Sequence, residues 1–163
     1  LSREARGAKS RLRGPAFRGG CGGRRRPVGR GRRAMTPGTL ARWHELVRKR
    51  NAGGLEALLA DGVVFHSPVV HTPLAGKAIT TRYLAAAFRV FFNESFRYVR
   101  EVAGDREAVL EFQVEIDGIV VNGVDMIRWD DEGRIVDFKV MIRPLKAINL
   151  IHAKMAAMLG AGA

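Results

Sequence analysis

The chain has 163 residues, a formal net charge of +12 and one cysteine. A single cysteine excludes a disulfide framework within the chain, and no apolar run approaches the roughly 20 residues that a membrane-crossing helix needs. So high a charge suits a nucleic-acid binder, but residues 1–34 hold twelve Lys and Arg against one acid, a net of +11, and residues 35–163 hold 16 basic and 15 acidic side chains.

Residues 1–34 also carry eight glycines and few large apolar side chains. Such a segment cannot bury enough surface to offset the entropy of ordering, so it is expected to be disordered. Three readings stay open for it: a basic arm drawn to RNA or a membrane surface, an organelle transit peptide, or sequence translated upstream of a start at Met35. Met35 stands directly before a helix-start signal, which favours the third, and the glycine richness weighs against the second. Nucleic-acid binding is expected only through this tail. Cys21 lies in it too, so residues 35–163 offer no thiolate ligand or nucleophile, and a cytoplasmic location fits. Those residues are expected to form one domain.

Thr36-Pro37 is a cap with proline at the first helical position, and Leu40, Trp43, Leu46 and Val47 recur on one helical face up to Gly53-Gly54. Leu55, Leu58 and Leu59 predict a short second helix, stopped by Asp61-Gly62, and then a strand over Val63–His66. Pro68 and Pro73 bracket a loop. Gly76-Lys77 opens a third helix with Ile79, Tyr83, Ala87, Val90 and Phe91 on its apolar side. From Phe96 the period changes to two, giving strands at about 96–103, 107–116, 119–129 and 134–142. Asp117-Gly118 and Asp131-Glu132-Gly133 read as hairpin turns, so the sheet is expected to be antiparallel. Pro144 starts a last amphipathic helix through Leu145, Ile148, Ile151, Met155, Met158 and Leu159, closed by Gly160.

The class is α+β, with helices grouped on one face of the sheet. Strand 119–129 is apolar on both sides, Ile119, Val121 and Ile127 opposing Val120, Val124 and Met126. Both faces therefore need cover. A second subunit on the outer sheet face, giving a two-fold homodimer, is the simplest cover; the final helix lying there is the alternative.

Asp125, flanked by Val124, Met126 and Ile127, is the best candidate for chemistry. An acid among apolar strand residues must be paired, protonated or turned into a polar pocket. Its expected partners are Asn122, the Trp43 N–H or a tyrosine such as Tyr83. Phe65, Tyr83, Phe88, Phe138 and Ile142 are expected to line a pocket for a small apolar ligand. His44, His66, His71 and His152 lack zinc-like spacing, and no phosphate-cradling loop is present, so neither metal nor cofactor is expected.

The order of elements, with Ala41-Arg42-Trp43-His44-Glu45-Leu46-Val47, Leu58-Leu59-Ala60-Asp61-Gly62 and Asp125-Met126-Ile127-Arg128-Trp129-Asp130, resembles bacterial ketosteroid isomerases and SnoaL-like cyclases of the nuclear transport factor 2-like superfamily. The resemblance covers most of 36–142. It implies a cone-shaped fold, N-terminal helices packed on a curved antiparallel sheet plus a C-terminal helix, with a pocket on the concave face. It also implies an aspartic base, a tyrosine and a neutral aspartic acid that holds an oxyanion. Asp125 falls at the position of that neutral acid. Ser67 stands where the base would be, and Trp43 where the tyrosine would be. Serine is no base at neutral pH and indole only donates, so the family's steroid isomerisation is not expected. His71, or His66, is the expected substitute base. Two functions follow: a cofactor-independent isomerase or cyclase acting on an apolar carbonyl compound, or a non-catalytic ligand-binding or dimerisation module.

Overall fold

A computed structural model describes residues 38–160. The 1–34 tail, Cys21, the start at Met35 and the Thr36-Pro37 cap lie outside the described residues. Helix α1, Thr39–Lys49, closes at Arg50, whose left-handed φ of 51° lets Arg50 and Asn51 donate back to Val47 and Leu46. It therefore stops short of Gly53-Gly54, which sits in a 3-10 turn, Ala52–Gly54, capped by the Asn51 side chain.

Helix α2 is one turn, Leu55–Leu58. Strand β1, Leu59–His66, starts earlier than the expected Val63, and Asp61-Gly62 is an irregularity inside it rather than a helix stop. Leu59 fits a helical stripe and a strand equally well; pairing with Ile135 in the core decides the matter. A two-residue strand not expected from the sequence, β2 (Leu74–Ala75), adds to the edge of β1. Helix α3, Lys77–Phe91, then leads into β3 (Arg97–Ala103), β4 (Glu107–Ile116), β5 (Ile119–Trp129), β6 (Ile135–Arg143) and helix α4 (Leu145–Gly160).

The sheet order is β2-β1-β6-β5-β4-β3. Neighbours run antiparallel except β1 and β6, which are parallel. The hairpin turns cannot disclose that pair, because residues 67–134 lie between its two strands. The class is α+β, helices on a mostly antiparallel sheet.

Inward-facing Leu110, Phe112, Val114 and Ile116 of β4 are buried, and the register sets Asp125 of β5 between Leu110 and Val140 of β6. Ala147 and Ile151 of α4 pack into one cluster with Val90 and Phe91 of α3 and Phe112 and Val121 of the sheet. The final helix thus lies on the same face as α3, and the expectation that it could cover the outer face is corrected. Leu145 and Met158, expected on its apolar stripe, are exposed, the former by 71%. On the outer face Val120 and Met141 are more than half exposed, at 54% and 52%.

Candidate active site

Asp125 is 6% exposed, and among the described residues no cation contributes to its electrostatics. Burial pushes its carboxyl from an ordinary 3.8 up to about 7, and a hydrogen bond from Tyr98 holds it back from rising further. Tyr98 Oη donates to Asp125 Oδ2 at 3.2 Å, and Trp43 Nε1 of α1 donates to Tyr98 Oη at 2.9 Å. Indole nitrogen cannot accept, so the tyrosine oxygen must receive that bond and commits its own proton to Asp125. Burial and the charge of Asp125 push the Tyr98 phenol well above its usual value. Tyr98 therefore stays protonated while Asp125 titrates near neutrality.

The carboxyl faces a cavity of about 300 Å³. Its walls are Phe65 of β1, Ser67–Val70 of the following loop, Tyr83, Leu84 and Phe88 of α3, Phe138 and Val140 of β6, and Ile151, His152, Met155 and Leu159 of α4. Trp43 packs its ring 4.9 Å from Phe138 and 5.7 Å from Phe88, which fixes the indole that orients Tyr98. Gly123 leaves room for Phe112, another wall residue: a Cβ there would lie 2.3 Å from Phe112 Cζ and 2.9 Å from Met141 O.

Of the residues singled out in the sequence, Trp43, Phe65, Ser67, Tyr83, Phe88, Asp125 and Phe138 lie on this cavity. Ile142 does not; it faces inward near the end of β6, where it packs into the cluster that Ala147 and Ile151 of α4 complete. His71 does not either. The Ser67 hydroxyl accepts from the Val69 and Val70 N–H groups, a turn that puts those two valines at the cavity and leaves His71 exposed in the loop beyond. His66 points to the opposite face of β1, where its Nε2 lies 3.1 Å from Asp137 Oδ2.

The expected partners of Asp125 are corrected as well. Asn122 belongs to the outer face, donating to Phe112 O and Glu111 and accepting from Arg143. Tyr83 packs against Phe65, and Trp43 reaches the acid only through Tyr98. Two polar side chains of the site, Tyr98 and His152, were not assigned to it from the sequence. Tyr98 could have been found from strand alternation, since it pairs with inward-facing Phe112. His152 could have been found from helical spacing, since it falls between Ile148 and Met155 on the apolar stripe.

Residues 40–138 match the model of the SnoaL-like domain. Among solved structures, a steroid delta-isomerase from Pseudomonas aeruginosa is 40% identical and superposes with a TM-score of 0.74, over 78% of this chain and 93% of that one. An uncharacterized protein with a cystatin-like fold from Silicibacter pomeroyi is 32% identical, with a TM-score of 0.69 over 76% and 86% of the two chains. The epoxide hydrolase/cyclase-like enzyme SalBIII of salinomycin pyran-ring formation, at 16% identity and a TM-score of 0.53 over 64% of this chain and 88% of its own, shares the fold alone. No curated protein matches.

Proposed function

The chain belongs to the SnoaL-like domain family of the nuclear transport factor 2-like superfamily, and from that premise we propose that it is a small-molecule pocket enzyme, a cofactor-independent isomerase or cyclase acting on an apolar carbonyl compound. One observation carries the reading: a buried acid, raised to about 7, faces a cavity walled by aromatic and aliphatic side chains. At neutral pH about half of such carboxyls are protonated. Tyr98 occupies Oδ2, which leaves the acid proton of the neutral form for Oδ1 and for a ligand oxygen. A carbonyl in the cavity would receive that hydrogen bond, and the bond strengthens as the oxygen gains charge in an enolate-like transition state. The apolar walls keep water from competing.

The similarity to a steroid delta-isomerase supports carbonyl chemistry, but Ser67 departs from the pattern that resemblance implies. Its hydroxyl is engaged with Val69 and Val70. That engagement favours the second reading, a pocket that binds without turnover. Thermal-shift screening with steroids, polyketides and aromatic ketones tests both, because a ligand that binds only the folded state raises the melting temperature. Binding weakened in Asp125→Asn supports the site; ketone binding unchanged by that substitution refutes it. Binding with no chemical change in any ketone leaves the non-catalytic module.

A further inference from the structure

Helix α4 presents His152, Met155, Ala156 and Leu159 to the cavity, positions three and four apart along one helical face. Three of them are apolar, as an apolar wall requires; the fourth is an imidazole. Among the lining residues only Asp125, Tyr83 and His152 have titratable side chains, and a phenol is a poor proton acceptor at neutral pH. The other described histidines are spoken for or misplaced: His44 pairs with Glu101 at 2.9 Å, His66 pairs with Asp137 at 3.1 Å, and His71 lies off the cavity. His152 has no hydrogen-bond or ion-pair partner among the described residues. It is exposed on its outer side while Asp125 is buried, so the two groups address a bound molecule from the rim and from the inner end.

We infer that His152 is the proton acceptor that works opposite Asp125, and that the substrate is an enolisable ketone whose carbonyl sits on Asp125 and whose acidic C–H faces α4. This rests on the reading above, in which Asp125 serves a bound carbonyl. The unprotonated ring nitrogen of His152 takes the α-proton. The C–H electron pair becomes the C=C bond of an enol, the carbonyl π pair moves to oxygen, and that oxygen takes the proton of Asp125. In the reverse direction the imidazolium returns a proton to the same carbon or, in an extended enol, to a conjugated one, and the enol O–H returns its proton to Asp125. No oxidant or reductant is consumed. Contact with solvent lets the imidazolium exchange its proton between the two directions, so deuterium from D₂O enters the ketone.

The probe is 2-tetralone, followed by NMR for deuterium incorporation at its α-carbons, with binding measured separately by thermal shift. His152→Ala keeps a good helix former at an exposed helical position. It is expected to lower the exchange rate by about 100-fold, within the usual range for a general base, to keep 2-tetralone binding, and to recover exchange on addition of free imidazole. His71→Gln, off the cavity, is expected to exchange like the wild type. Exchange by His152→Ala within threefold of wild type overturns the inference, as does loss of exchange accompanied by loss of binding, which would make His152 only a wall. Wild-type binding without exchange above buffer overturns it too and leaves the pocket reading standing. Failure of wild type to bind any ketone removes the function proposed above.

Discussion

Replacing Asp125 with asparagine removes a titrating carboxyl while keeping its shape, so the variant gauges what burial does to that group. The unfolded chain releases the Asp125 proton near 3.8 and the folded protein near 7. Below 3.8 both states hold it, and above 7 both have lost it. Between those values the folded state holds a proton that the unfolded state has given up, so stability falls as pH rises through the window. The loss is about 1.4 kcal/mol per pH unit and about 4 kcal/mol in all. Urea unfolding of wild type and Asp125→Asn at pH 5, 6, 7 and 8 cancels the other titrating groups in the difference. Wild type is expected to lose about 2.5 kcal/mol relative to the variant between pH 5 and 8. A difference that stays flat with pH, or one in which wild type gains as pH rises, would refute the claim that burial outweighs the Tyr98 hydrogen bond.

Tyr98→Phe removes the donor that lowers the Asp125 pKa and leaves the Trp43 N–H without its partner. The stability window then extends above pH 7 in the same urea series, and the protein loses about 1–3 kcal/mol; an unmoved upper limit sinks the relay. Gly123→Ala drives a methyl into Phe112 and the Met141 carbonyl, a backbone group that cannot swing aside. A cost of at least about 1–3 kcal/mol is expected in thermal unfolding, and a melting temperature equal to wild type contradicts the close approach. If a second copy covers the outer sheet face, Val120→Asp with Met141→Asp converts a dimer to a monomer in light scattering, with the far-UV spectrum kept. A wild type that is monomeric at every concentration rules that interface out.

Period-two alternation in 107–116 and the Asp117-Gly118 turn were enough to place β4 and β5, because one face of each hairpin strand is buried and slippage by one residue would invert it. The parallel partner of β6 was not legible, since β1 pairs with it across most of the domain and no local signal survives such a separation. The extension of β1 back to Leu59 was hidden for another reason: three leucines spaced for a helix satisfy a strand start as well. At the site, Asp125 stood out because a lone acid in an apolar strand is chemically costly. Its partner did not, because Tyr98 meets it only when β3, β4 and β5 are in register. His71 looked like the base by its closeness in sequence to the Ser67-Pro68 loop. His152 sits 81 positions further along and reaches the same space from α4.

The hydrogen-bond chain from Trp43 through Tyr98 to Asp125 has a direction, and it is a dead end. The indole has no lone pair to pass a proton along, and the raised Tyr98 phenol keeps its own. Among the described residues, then, Asp125 exchanges its proton with water by way of the cavity. A ligand that fills the cavity displaces that water, so while it stays the proton Asp125 holds can pass only to the ligand and back. Protein that captures a carbonyl with Asp125 already a carboxylate has then no acid to offer it until the ligand leaves.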